Sequence, residues 1–227
     1  MLKIYPTLVV KNAELENWYL KGKFKPYEDD ELIDLLCKIK SKIPKYVRIM
    51  RLQRDVPKKE IVAGCKYSNL REIVQREMKK RKLTCKCIRC REVGHRIRDG
   101  WKVREFKLNI EKYRASKGTE FFLSYEDENE TLAGFLRLRI PYKSFRPELQ
   151  NSTIVRELHV YGPEIPVGKK SKHFQHKGFG EKLLKEAERI SKDNGFDNIA
   201  IISGVGAREY YRKFGYRLKG AYMCKKI

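Results

Sequence analysis

Residues 174–195 read FQHKGFGEKLLKEAERISKDNG. Gly178 and Gly180 stand two apart at the mouth of a segment where Leu183, Leu184, Ala187 and Ile190 recur at helical spacing. Asn194 and Gly195 supply the stop signal. Glu181 with Lys185, and Glu188 with Lys192, are favourable i,i+4 pairs of about 0.3 kcal/mol each. The first turn of a helix leaves backbone N–H groups without partners, at the positive end of the helix dipole. Positions without side chains there let an anion reach those donors, and Lys177 adds a full charge. Two turn glycines would give the same letters, so the surrounding order decides. A dinucleotide-type loop carries a third glycine and an acid about twenty residues on. Here Gln175 leads instead, as Gln-x-x-Gly-x-Gly.

Upstream, VREFKLNIEKYRAS (103–116) and TEFFLSYEDENETLAGFLRLRI (119–140) alternate as antiparallel strands, with Glu128–Glu130 as a hairpin tip. STIVRELHVYG (152–162) is a further strand, on which Glu157 and His159 share one face. Downstream, NIAIISG is a strand, AREYYRKF a short helix and GYRLKGAYMCKKI one final strand. This order predicts a mixed α+β domain over 102–227. Residues 1–80 alternate strand and helix: KIYPTLVV, then EDDELIDLLCKIKSKI with Leu32, Leu35, Leu36 and Ile39 in phase, then YVRIMRLQR. SNLREIVQREMKKRK follows, with Ser68 as its cap. Strand–helix–strand order points to parallel pairing, with too few elements to close an α/β domain.

Between these pieces, 81–101 is short and basic and contains CKCIRCREVGH (85–95). Cys85, Cys87, Cys90 and His95 form a tetrahedral zinc set: a tight turn gathers three thiolates, and Gly94 lets the chain return an imidazole. Four protein ligands leave no open position, so the metal is structural and adds folding energy to a coreless segment. An iron–sulfur cluster is the competing occupant, and the histidine argues against it. Cys37, Cys65 and Cys224 read as core or surface thiols; a disulfide framework would need spread-out pairs.

The 227 residues carry a net charge of +23, spread along the chain. Thermophile-like surfaces are also rich in charge, but they balance its signs, whereas this excess attracts polyanions. Nucleic acid is the expected partner, with Tyr113, Tyr142 and Phe145 as candidate rings for unpaired bases. No run of eighteen apolar residues and no signal peptide is present, so no membrane partner and a cytoplasmic location are expected.

The order of antiparallel strands, Gln-x-x-Gly-x-Gly loop, helix, strand and tyrosine helix resembles the GNAT acetyltransferase superfamily. The resemblance implies that Gln175, Lys177, Gly178, Phe179, Gly180, Glu181 and Lys182 hold the pyrophosphate of acetyl-CoA. It implies that the strand Glu157–Tyr161 splays from its neighbour and that Leu158, His159, Val160 and Tyr161 align the pantetheine arm. In REYYRKFGYRL the Tyr-x-x-x-Gly-Tyr setting falls on Tyr211, with Tyr210 beside it. The resemblance implies that these tyrosines orient or protonate the thioester sulfur, and Glu157 and His159, on one strand face, are expected to activate water or place the nucleotide.

CKCIRCREVGH, STIVRELHVYG, FQHKGFG and ISGVGAREYYRKFGYRLKGAYM occur together with KIYPTLVV, YVRIMRLQRDVP and IVAGCKYSNLRE. Over nearly the whole chain this is similar to the family of the Elongator catalytic subunit. Those are tRNA-modifying acetyltransferases that join a radical-SAM barrel to a GNAT domain, with zinc between them. The resemblance implies a carboxymethyl-type modification of the wobble uridine, begun from acetyl-CoA. The family's iron–sulfur cysteine set has no counterpart in this sequence. The radical step, with its cluster and S-adenosylmethionine, is therefore not expected here. The chain reads as a C-terminal fragment: barrel remnant 1–80, zinc segment 81–101, acetyltransferase domain 102–227. Acetyl-CoA binding and hydrolysis are the expected residual capacities. Two alternatives use part of the same signals. A protein lysine Nε-acetyltransferase shares the loop, although a basic tail would be repelled. A non-catalytic zinc RNA-binding module explains charge and cysteines but not the loop and tyrosine helix.

Overall fold

The structure, a computed structural model, describes residues 1–161 and 178–227. The chain forms two compact units, Met1–Cys90 and Arg91–Ile227.

The first unit runs β1 (Leu2–Lys3), β2 (Val9–Val10), α1 (Glu14–Leu20), α2 (Asp29–Ser41), β3 (Ile49–Arg51), β4 (Ile61–Ala63) and α3 (Leu70–Lys80). The expected single strand at the N-terminus is split at Ile4–Leu8, where Pro6 offers no N–H to a ladder. β1 pairs with β3 in parallel, whereas β2 pairs antiparallel with β4. α2 opens on a capping box between Glu28 and Glu31. α3 is capped at Asn69 rather than Ser68, with no side-chain cap bond; Gln53 Oε1 instead accepts from the Leu70 N–H at 3.3 Å. Leu32 and Leu36 of α2 and Leu70, Val74 and Met78 of α3 close over Ile49 and Cys37. The chain then enters α4 (Ile88–Arg91), within which it passes to the second unit.

The second unit continues with α5 (Val93–Arg98), β5 (Lys107–Ala115), β6 (Gly118–Glu126), β7 (Leu132–Ile140), β8 (Ser152–Val160), α6 (Phe179–Asp193), β9 (Asn198–Ile202), α7 (Arg208–Arg212), β10 (Arg217–Lys219) and β11 (Tyr222–Lys226). The expected single last strand is a hairpin, because Gly220 turns at φ +56°. One seven-stranded sheet has the order β10-β11-β9-β8-β7-β6-β5, antiparallel except for β8 against β9. The 127–131 tip holds because Asp127 Oδ1 accepts the N–H groups of Asn129 and Thr131 at 3.0 and 2.8 Å. Leu183, Leu184, Ala187 and Ile190 of α6 lie on Leu123, Leu136, Leu138, Val155, Ile199 and Ile201. Each leucine so buried contributes about 2 kcal/mol. Glu181 pairs with Lys185 at 2.7 Å as expected, but Glu188 turns to Lys225 and the Tyr216 hydroxyl, both at 2.9 Å. A partly buried partner outcompetes the exposed i,i+4 neighbour.

β7 and β8 approach unusually closely at Gly134, where a Cβ would stand 2.9 Å from the His159 carbonyl oxygen. Gly134→Val is therefore expected to destabilise the second unit by about 1–3 kcal/mol, measured as a lowered thermal midpoint.

Candidate active site

β8 is paired differently along its two edges. Ser152–Val155 pair with Asn198–Ile201 of β9, and that pairing stops there. On the other edge the ladder to β7 continues to Val160. Arg137 faces Glu157 while Leu138 faces Val155, so Arg156 is an extra residue, a β-bulge. Past the bulge, the Tyr161 N–H donates to the Ala133 carbonyl at 2.7 Å. Antiparallel alternation then turns the backbone groups of Glu157, His159 and Tyr161 toward β7. Those of Leu158 and Val160 face the side that β9 has left.

α6 begins opposite this open edge. Gly178 is its N-cap at φ +68°, a left-handed conformation, and a Cβ there would meet no atom within 4 Å. The first intrahelical bond is Lys182 N–H to the Gly178 carbonyl at 3.0 Å. It leaves the N–H groups of Phe179, Gly180 and Glu181 without intrahelical acceptors. The Phe179 ring is buried against Tyr125 and Phe106, with centroids 4.5 and 5.7 Å away, and anchors the helix start. Phe179 thus offers the site its backbone alone. The glycine at 180 has a steric reason beside the anion approach expected from the sequence. A Cβ there would lie 2.3 Å from the Tyr210 hydroxyl, so the missing side chain makes room for a phenol. The Glu181 carboxylate is drawn toward Lys185, and the Lys182 amine lies over the Phe179 ring.

A cleft of about 520 Å³ lies between these parts, lined by Leu158, Val160, Gly178, Gly180, Tyr210 and Tyr211 among others. Tyr211 is buried and Tyr210 half-exposed, their rings edge to face at 5.3 Å. Burial, then the Glu181 carboxylate, pushes the Tyr210 phenol above its ordinary value. Burial, then Tyr210, does the same for Tyr211. Both therefore keep their protons at neutral pH. Gln175 and Lys177 lie outside the described residues.

The sheet face away from α6 is polar. Glu157 accepts from Arg137 Nε at 2.8 Å and lies 3.2 Å from His159 Nε2. His159 and Tyr161 lie with ring planes 8° apart, and Phe135 supports both. Burial alone would raise the Glu157 carboxyl, but hydrogen bonds from His159 and Arg137 outweigh it and hold it at about 2. Glu157 is thus a fixed carboxylate that orients His159. Nothing in the sequence singles out Arg137, although the Leu-Arg alternation of 136–139 places it and Arg139 on one face. Arg139 and Arg156 both reach Glu120, at 2.8 and 2.7 Å.

In the first unit the sulfurs of Cys85, Cys87 and Cys90 all lie within 4.8 Å of one another. Thiolates bound at about 2.3 Å in a tetrahedron stand about 3.8 Å apart, so this donor set fits a metal ion. Hydrogen bonds from its two neighbours hold the Cys87 thiol well below the usual range, and the bond to Cys87 pushes Cys85 well above it. His95 stands on α5 in the second unit, with the Arg98 guanidinium at its Nδ1. Cys37 and Cys65 are buried, and Cys224 is partly buried. Tyr142 and Phe145 are 72% and 86% exposed, whereas Tyr113 is half-buried with its hydroxyl 3.4 Å from Arg137 Nη1. Among the described residues no helix is long and apolar enough to cross a membrane.

Comparison with known proteins matches residues 88–216 to the Acetyltransferase (GNAT) family and residues 1–80 to the Radical_SAM C-terminal domain. The tRNA uridine(34) acetyltransferase of Methanocaldococcus jannaschii is 52% identical over 99% of this chain and 43% of its own length. Elongator complex protein 3 of Drosophila melanogaster is 46% identical over 100% of this chain and 42% of its own. The solved structure of Methanocaldococcus infernus Elp3 with an N-terminal deletion superposes at a TM-score of 0.92, with 49% identity over 99% of this chain and 55% of that one. The chain thus spans less than half the length of these curated relatives. The chain belongs to the acetyltransferase (GNAT) family.

The Glu157 carboxyl titrates below its ordinary 4.5, so its contribution is complete above about pH 5 and is lost as pH falls through 4.5 toward 2. Glu157→Gln should remove on the order of 2 kcal/mol of the change that falls between about pH 6 and about pH 3. Denaturant titrations of both proteins between pH 6 and about pH 3 measure the difference; parallel curves contradict it.

Proposed function

We propose, from membership of the acetyltransferase (GNAT) family, that this chain binds acetyl-CoA in the cleft of the second unit. There it serves carboxymethyl-type modification of the wobble uridine of tRNA. The observation that carries the reading is the open edge of β8 at Leu158 and Val160, set opposite the bare first turn of α6. The N–H groups of Phe179, Gly180 and Glu181 suit a pyrophosphate, with Gln175, Lys177, Gly178 and Lys182 completing the loop. The open Leu158 and Val160 groups suit an amide-bearing arm laid alongside as an extra strand, flanked by His159 and Tyr161. Acetyl-CoA supplies an activated acyl group.

Tyr210 and Tyr211 act at the sulfur end. Phenols pushed above their ordinary pKa hold their protons, so they stabilise a departing thiolate by donating hydrogen bonds. On the opposite face the Glu157–His159 pair is oriented by Arg137 and positions the acceptor or a water. tRNA fits the +23 charge, and exposed Tyr142 and Phe145 offer rings for unpaired bases. Cys85, Cys87 and Cys90 hold a structural zinc in the 81–101 segment, between the barrel portion 1–80 and the acetyltransferase domain 102–227 along the chain. The relatives named Elongator complex protein 3 suggest a larger assembly, and a cytoplasmic setting is part of the same proposal.

Titration of the purified chain with acetyl-CoA, with and without tRNA, tests the assignment. Gly180→Arg, which drives a side chain into the Tyr210 hydroxyl and the cleft, should abolish binding. Tyr211→Phe should retain binding and slow thioester cleavage about 10²-fold. Wild-type behaviour in both variants ends the assignment, and turnover triggered by a lysine peptide rather than tRNA moves it to protein acetylation.

A further inference from the structure

The apolar stripe of α2 ends on an unexpected residue. Leu32, Leu36 and Lys40 follow one another at i,i+4, and Lys40 is as buried as the leucines, at 0% exposure. A buried lysine needs a compensating anion. Among the described residues no carboxylate pairs with it. Its Nζ instead stands 3.8 Å from the Cys90 sulfur. Gln75 of α3 directs its Nε2 to the same sulfur at 3.9 Å. Arg71, one turn before Gln75, gives Nη2 to the Ile49 and Met50 carbonyls and keeps Nη1 buried with no partner among the described residues. Two helices thus bring donors toward a cluster of three thiols.

We propose that Lys40 is the charge-balancing and positioning residue of a metal centre at Cys85, Cys87 and Cys90, resting on the metal reading given above. Three thiolates on a divalent cation leave one net negative charge, which a neutral fourth ligand does not remove. Cys87 is buried and Cys85 and Cys90 are half-buried, so that charge is screened only in part by water, and the buried ammonium of Lys40 balances it. An N–H···S bond from Lys40 draws charge from the Cys90 thiolate and fixes the direction of its lone pairs. The ammonium cannot reach solvent, so a snorkelling role is not available to it. Lys40 touches Cys90 and not the metal, and so acts through its ligand.

The test uses the full chain. Metal analysis of the wild type comes first, followed by zinc competition against a chromophoric chelator and cobalt(II) substitution. Lys40→Met preserves length and packing without donor or charge. Its zinc affinity should fall about 10–100-fold, with a shift in the thiolate-to-cobalt charge-transfer band. Lys40→Gln keeps a donor without the charge; it carries the same comparison where Lys40→Met does not fold, and its affinity should fall at least tenfold. A wild type that takes up neither zinc nor cobalt overturns the metal reading, and this inference with it. A wild type that binds, with variants of equal affinity and unchanged cobalt spectrum, overturns the role of Lys40 alone.

Discussion

Everything in the candidate active site depends on a single extra residue in β8. Arg156 has no opposite number on β7. Side chains of a strand alternate between faces with period two, so an inserted residue reverses the alternation beyond it. Val155 faces α6, and past the bulge so does Leu158. Were β8 to run through Arg156 in regular alternation, that place would belong to Glu157, a carboxylate pressed into Leu183 and Leu184. With the bulge, Glu157 and His159 fall on the far face, where Arg137 waits. The same bend coincides with the end of the β9 pairing. The bulge thus separates two surfaces: an apolar floor under α6, and a polar array on the other side of the sheet.

An open strand edge carries unpaired backbone groups, and their desolvation is costly unless something meets them. Here the edge is held open by what happens on its opposite side. Past the bulge the β7 ladder runs on to Tyr161, Gly134 permits a close approach, and the buried Phe135 ring supports His159 and Tyr161. A rigid inner edge leaves the outer edge at Leu158 and Val160 in a fixed register, ready for a partner of extended shape. The start of α6 is fixed in the same way, because the Phe179 ring is clamped by Tyr125 and Phe106 while the backbone beside it stays bare.

The sequence made much of this visible because the signals are local. The helix 179–193, its buried stripe, its stop at Asn194–Gly195 and the hairpin tip at 127–131 follow from spacing and turn chemistry alone. So does the pairing of Glu157 with His159, since residues two apart on a strand share a face. Which face they share was not legible, because the bulge depends on how β7 registers against β8. Gly180 illustrates the same limit. Its letter says that a side chain is missing, but not that the Tyr210 hydroxyl, thirty residues away in the chain, occupies the space. The last strand reads as one piece because Gly220 sits among residues with no other turn signal.

The buried charges follow a pattern of their own. Arg91 is fully buried on Glu126, at 2.9 Å, and on the Glu130 carbonyl at 3.1 Å; Arg137 is buried on Glu157, and Lys40 on the Cys90 sulfur. A protein with a surplus of +23 has ample cations to leave in water. Replacing a buried pair by apolar side chains is often neutral or stabilising, so folding energy alone does not account for placing cations inside. Breaking one partner is costly, and that asymmetry makes each pair a test of position. Arg91 moved by one residue along α4 would lose both acceptors, and Arg137 moved by one along β7 would face α6 rather than Glu157. Each cation therefore penalises the wrong register at the points where register matters: the 127–131 tip for Arg91, the bulge for Arg137, and the thiol cluster for Lys40.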